Sequence, residues 1–260
     1  MQLNINRETV HMNVRSIPIM IVATAIFAVS EAADSVKAEP GKDSGATATL
    51  TGVVKLEGTA PKPAPISMTK EPTCAKMHNV PAMTEEVITN GNGALQNVVV
   101  FVAEGLPDSA SGSPPSEPAV IDQKACTYHP HVIAIQANQK IRVVNSDQTS
   151  HNIHPLPRFN REWNKSQPPG QPPFEESFAR EEIAIPVKCN VHSWMRAYIA
   201  VLRNSYFAVT GKDGTFEITK MPTGTYTVSA WHEKYGTMSQ TVSIGSNEQK
   251  AITFTYRPRP

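Results

Sequence analysis

The chain has 260 residues, 40% hydrophobic and 18% charged, a globular composition sized for one or two domains. Its 24 Lys and Arg balance 23 Asp and Glu to a formal net charge of +1, so there is no basic face of the kind nucleic-acid binding needs. With 22 prolines and no long amphipathic period, strands and loops are expected rather than helices.

Arg15 precedes an almost unbroken apolar run over residues 17–29, and Ser30-Glu31-Ala32-Ala33 offers small residues for cleavage. This is the pattern of an export signal over 1–33, with Met12 as an alternative start and an uncleaved anchor as the alternative reading. The run is shorter than the roughly 20 residues of a membrane span. No second apolar run follows, so the expectation is an exported, periplasmic or secreted chain without stable membrane insertion.

Residues 34–48 are small and polar, a linker. Residues 51–58 alternate with period two and read as a strand; 59–83 are proline-rich and irregular; 95–102 form a second, mostly apolar strand. Residues 107–118 are low-complexity and solvated. Residues 131–136 and 139–144 read as consecutive strands turning at Ala137-Asn138, and 145–152 as a turn-rich exit. A long proline loop over 155–173 separates these from strands expected at 175–187 and 197–202. After Asn204 come short strands at 206–209, 215–218, 225–231, 239–244 and 251–256, with turns at Lys212-Asp213-Gly214 and 221–224. This rhythm predicts an all-β protein of the sandwich type.

The chemistry concentrates at Cys189-x-x-His192-x-x-Met195, with a lone His151 upstream. A thiolate, two imidazoles and a weak thioether make the donor set of a blue-copper site. Cys189 would end one strand, Met195 begin the next, and His192 lie in the short loop between, so three donors converge while His151 closes the site from a neighbouring strand end. Taken singly, Met195 reads as core, His192 as a hydrogen-bonded histidine and Cys189 as a small buried hydrophobe. Together, and after the Asn145-x-Asp147-x-x-x-His151-Asn152 stretch, they read as ligands to one copper ion. His154 is a second candidate for the place of His151.

The remaining cysteines, Cys74 and Cys126, admit two readings. One is a disulfide tying the proline-rich segment to the following strands, as export would favour. The other is a second metal site with His78, His129 or His131. Trp231-His232-Glu233 is read as structural, because consecutive strand residues face opposite ways. No G-x-S-x-G, H-E-x-x-H or phosphate loop occurs.

The stretch 121–202 resembles the plastocyanin, pseudoazurin and amicyanin family of cupredoxins, through Tyr128-x-Pro130-x-Val132-x-Ala134-x-Gln136-x-x-Gln139-x-Ile141-x-Val143-x-Asn145-x-Asp147, the His151-Asn152 pair and the short Cys-x-x-His-x-x-Met spacing. The resemblance implies a Greek-key sandwich and copper ligands at His151, Cys189, His192 and Met195, with Asn152 bracing the loop. It also implies single-electron transfer, not catalysis, to a transient redox partner. An exposed edge of His192, rimmed by Trp194, Val191 and Pro155, would be the electron port. Some amicyanin-like proteins serve methylamine oxidation; no residue here shows that substrate. The alternative functions are copper storage or a structural module, with a small copper oxidoreductase as a further one.

The outer segments resemble the carboxypeptidase regulatory-like, or transthyretin-like, sandwich through Asp213-Gly-Thr-Phe-Glu-Ile218 followed by Met221-Pro-Thr-Gly-Thr-Tyr-Thr-Val228. Residues 51–58 and 97–102 look like its missing first strands. The copper domain at 119–204 would then be inserted between 34–118 and 205–260 of the sandwich.

Overall fold

The computed structural model describes residues 47–258; the expected export signal lies outside them. The strands before the central segment are β1 (Ala48–Leu56) and β2 (Val99–Glu104), with a four-residue helix α1 (Pro72–Ala75) between them. The central segment carries β3 (Ala119–Lys124), β4 (Thr127–His129), β5 (Val132–Gln136), β6 (Lys140–Asn145) and β7 (His151–Pro155). It continues with β8 (Lys165–Gln167), β9 (Phe174–Ser177), β10 (Glu182–Lys188) and β11 (Arg196–Leu202). The last are β12 (Phe207–Val209), β13 (Thr215–Met221), β14 (Gly224–His232), β15 (Gly236–Ile244) and β16 (Gln249–Tyr256). Among the described residues no helix is long and apolar enough to cross a membrane.

These strands form four sheets, ordered β13-β1-β16, β12-β2-β14-β15, β5-β11-β10-β7-β8 and β4-β3-β6-β9. The sheets stack as layers around three apolar clusters. The first, with Leu50, Val100, Val228 and Phe254, joins the first two sheets. The second, with Val99, Phe101, Ala200, Leu202 and Trp231, joins the middle two. The third, with Ile121, Ile141, Val143, Val187 and Ile199, joins the last two.

The layering explains why β2 and β11 are apolar without alternation. In β2, Val100 and Val102 face the first cluster while Val99 and Phe101 face the second. In β11, Ala197, Ile199 and Val201 face the third cluster while Ala200 and Leu202 face the second. A strand buried on both sides has no polar face to show.

The early and late segments share sheets. β1 pairs parallel with β16 and antiparallel with β13, and β2 pairs antiparallel with β12 and β14, so neither joins β6. The chain leaves this sandwich after β2 and returns at β12, where Val102 N–H donates to the Tyr206 carbonyl at 3.0 Å. Exit and return are thus one hydrogen bond apart. The Lys212-Asp213-Gly214 turn is closed by Asp213, whose Oδ1 accepts the Thr215 N–H at 3.1 Å. Gly214 sits at φ +68°, and a Cβ there would meet the Val54 carbonyl oxygen at 2.6 Å.

Candidate metal centre

His151 opens β7 and is fully buried. Cys189 follows β10 directly and Met195 precedes β11; both are buried. The pairing of Lys188 with Arg196 makes 189–195 a hairpin loop. It is drawn tight by Cys189 N–H to the Met195 carbonyl at 3.3 Å and Met195 N–H to the His192 carbonyl at 3.0 Å. The ligating atoms of His151, Cys189 and His192 all lie within 4.8 Å of one another. The two imidazoles meet Nδ1 to Nδ1 at 3.0 Å, and Cys189 Sγ is 4.0 Å from His192 Nδ1. Met195 belongs to the same apolar cluster as Cys189.

His154, three residues along β7, has its ring elsewhere. Its Nε2 meets Glu162 Oε1 at 2.6 Å and its Nδ1 lies 3.3 Å from Asn190 Oδ1. Strand alternation sends residues 151 and 154 to opposite faces, which separates two histidines that the sequence left in competition.

The surroundings favour a thiolate. Burial would raise the Cys189 thiol, but a hydrogen bond with His151 and the backbone N–H groups of Asn152, His192 and Val191 outweigh it and hold the group below the ordinary thiol range. Two of those N–H groups, of Asn152 and His192, stand 3.4 Å from Sγ. Burial would lower His151, yet its bonds with Cys189 and Asp147 leave it raised. His192 is lowered, by burial and by His151.

Asp147 and Asn152 organise this cluster. His151 Nε2 bonds Asp147 Oδ2 at 2.7 Å, which fixes the ring with Nδ1 turned toward His192 and Cys189. The same carboxylate accepts the N–H groups of Ala125 at 2.7 Å and Cys126 at 2.8 Å. Asn152 accepts the Asn190 N–H and donates to Asn164, tying β7 to the ligand loop. Tyr128 O–H donates to the Asn152 carbonyl at 2.6 Å. The sequence contains Asp147 in a recognisable pattern but gives it no role; its spacing of four from His151 was the available signal.

Cys74 and Cys126 form a disulfide. His78 instead bonds the Ala125 carbonyl at 2.8 Å, and His129 bonds Thr127 Oγ1 at 2.8 Å. His131 pairs with Glu233. Among the described residues these three histidines enter no cluster of metal-binding groups.

The expected electron port requires a correction. His192 is only 1% exposed. Its Nε2 lies 3.6 Å from Cys74 Sγ, inside the protein. The cause is the proline-rich segment over 59–83, which folds across the loop: Met68 and Cys74 are buried in the central core, with Ile66, Met77 and Ala82 packed on it. Trp194 is half-buried, its ring centroid 5.1 Å from that of His192, and its indole N–H donates to the Cys126 carbonyl at 3.0 Å. Val191 is exposed, while Pro155 is buried in the β7–β10 pairing and forms no rim. Trp194 and Met195 line a groove of about 600 Å³ together with His131, Tyr198, Glu85 and Glu233.

Residues 177–252 match the family described as polysaccharide lyase family 4, domain II. No curated protein matches the sequence. Among solved structures, the chain is similar to the Cu-containing nitrite reductase of Thermus scotoductus, at 16% identity and TM-score 0.32, over 37% of this chain and 27% of the reductase. It is also similar to a purple cupredoxin from Nitrosopumilus maritimus, at 22% identity and TM-score 0.28, over 32% of this chain and 99% of that one. A Cu(I) form of amicyanin aligns at 13% identity and TM-score 0.29, over 40% of this chain and 98% of that one.

Proposed function

We propose that this protein is an exported cupredoxin-type electron carrier that holds one type 1 copper at His151, Cys189, His192 and Met195. The observation that carries the reading is the buried meeting of two imidazole Nδ1 atoms with a thiol held toward its thiolate form. That donor set fits a soft, redox-active ion, and the copper supplies exchange of one electron between Cu(I) and Cu(II). Asp147 fixes the His151 ring, two backbone N–H groups hold the sulfur, and Asn152 clamps the loop. A site organised by its own hydrogen bonds has little left to rearrange when the charge of its occupant changes by one.

Because His192 is covered, we assign the electron exit to the Trp194 ring, which lies between that histidine and the groove. A transient redox protein would meet Trp194 there, across the small contact such carriers use. The Cys74–Cys126 bond supports an oxidising destination such as the periplasm. The shared sheets support a copper domain at 119–204, covered by residues 59–83, inserted into a sandwich whose described strands are β1 and β2 before it and those after residue 204 behind it.

The covering of His192 also favours a second reading, in which the centre stores copper without redox traffic. The visible spectrum of the copper-loaded chain decides. The carrier reading expects an intense thiolate-to-copper band at about 600 nm that bleaches on reduction and returns on oxidation. A colourless, copper-replete protein would leave storage as the function.

A further inference from the structure

His192 has two ring nitrogens and faces sulfur on both sides. Its Nδ1 looks toward Cys189 and His151, while its Nε2 is 3.6 Å from Cys74 Sγ of the disulfide. The sulfurs of Cys74 and Cys126 and a nitrogen of His192 lie within 4.8 Å of one another, and both cysteines are wholly buried. Cys126 Sγ is equally within 4.8 Å of a carboxylate oxygen of Asp147. Two sulfurs, an imidazole nitrogen and a nearby carboxylate are the ligand types of a tetrahedral thiolate site for a d¹⁰ cation.

The spacing agrees with that chemistry. With metal–sulfur and metal–nitrogen distances of about 2.3 and 2.0 Å, a tetrahedral ion places its sulfur and nitrogen ligands about 3.5 Å apart. The Cys74–His192 separation of 3.6 Å already has this value. The remaining requirement is that the two sulfurs be free to separate.

We propose that reduction of the Cys74–Cys126 bond opens a second metal site, formed by Cys74, Cys126 and His192 Nε2, for a thiophilic d¹⁰ cation such as Zn(II) or Cu(I). A dithiol reductant gives up two electrons and two protons. The S–S bond breaks, two cysteine thiols form, and the reductant leaves as its own disulfide. Binding of the cation then expels the two thiol protons to solvent and, where Nδ1 already holds an ion, the His192 Nε2 proton with them, so that the ring bridges as an imidazolate. The oxidised protein therefore holds one ion and the reduced protein two, with His192 between them, so thiol redox state sets metal capacity. The pair occupies the place where an exposed histidine edge would otherwise lie, which makes the cover itself the switch.

The inference does not depend on the electron-carrier reading, and its test removes the first site. The full chain carrying Cys189→Ala is studied by native mass spectrometry with Zn(II), before and after reduction by a water-soluble phosphine. The phosphine takes its oxygen from water and leaves two thiols on the protein. The expected result is no retained Zn(II) before reduction and one per chain after it. That uptake should vanish when Cys74→Ser and Cys126→Ser, or His192→Ala, are added. Amide exchange of β3 and β6 is followed in parallel. The proposal is overturned if the reduced variant retains no Zn(II), if uptake survives the serine substitutions, or if reduction strips the strands of protection that Zn(II) does not restore. A parent protein that is blue with copper while the reduced variant ignores Zn(II) would remove this site and leave the carrier reading intact.

Discussion

Asp147 is the residue whose loss should be felt most widely. Its carboxylate is 5% exposed and accepts three hydrogen bonds, from His151 Nε2 at 2.7 Å, Ala125 N–H at 2.7 Å and Cys126 N–H at 2.8 Å. Ala125 and Cys126 both have positive φ, at 50° and 54°, a conformation costly for residues with a Cβ. The carboxylate therefore holds a strained turn and a candidate ligand at once. Asp147→Ala would strand two buried donors, His151 Nε2 and Cys126 N–H, at about 1–3 kcal/mol each, and the half-buried Ala125 N–H for less. Water entering the space left by the side chain would satisfy some of them, so a net loss of about 3–5 kcal/mol is expected, against a total of about 5–15 for an ordinary domain. Asp147→Asn keeps the volume but turns an NH₂ group toward other donors, for about 2–3 kcal/mol. Copper affinity should fall about 10–100-fold in both, because the His151 ring loses its anchor.

Urea unfolding of the metal-free, disulfide-intact protein measures the first effect as a shift in midpoint at constant slope. Competition against a chelator of known affinity measures the second. Glu175→Gln is the control, since Glu175 pairs with Lys140 and Arg142 at the surface and its loss should leave the urea midpoint nearly unchanged. The reasoning is refuted if Asp147→Ala unfolds within about 0.5 kcal/mol of the parent, or if its copper affinity is unchanged.

Three further outcomes are expected. Cys189→Ser should abolish the visible band, whereas Met195→Gln should keep copper and shift the reduction potential, as voltammetry would show; a blue Cys189→Ser protein would displace the assignment. His232, buried and stacked on Tyr235, is lowered to about 4 by burial and by the charge of His131. The unfolded chain then takes up a proton near pH 6.5 that the folded chain refuses, so this contribution is whole above that pH and declines as pH falls toward 4, by about 3 kcal/mol. The parent should lose that much more stability than His232→Gln between pH 7 and 4, and parallel profiles would contradict it. Trp194→Lys should slow electron exchange with a partner and also perturb the copper spectrum, since the ring touches His192 and holds the Cys126 carbonyl; stopped-flow exchange and absorption on one variant read both.

What was legible in the sequence was what local periodicity and spacing control. The Asp213-Gly turn, the alternating β1 and the Cys-x-x-His-x-x-Met spacing each fix their own geometry over a few residues. β1 and β2 do pair with late strands, as expected, although no short-range period announces so distant a partner. Other features depend on partners far along the chain. The expected single strand at 175–187 is broken into β9 and β10, and Ala184 at φ 68° lies within a register irregularity of β10. The expected proline loop at 155–173 contains β8, which pairs with β7 through Asn152 and Ser166. Three residues between prolines carry too little period to announce a strand, and their pairing is set by the edge that β7 leaves open.

The covering of His192 shows the same limit at the site itself. A short loop between two strands puts its histidine at the end of a sandwich, and that much follows from spacing alone. Whether the ring then meets water depends on residues 59–83, which precede the loop by more than a hundred positions and have no period to read. One bond, Cys74 to Cys126, brings that segment down. The Cys-x-x-His-x-x-Met motif already separates Cys189 from the other two cysteines, but it says nothing of where that pair lies. It lies on the ligand histidine, 3.6 Å from a ring nitrogen. A cover that adds even a few ångströms between a metal and its partner slows tunnelling steeply, so an electron carrier with this cover needs a conducting side chain through it. Trp194 is the aromatic residue in contact with both the histidine and the groove, and the carrier reading depends on it.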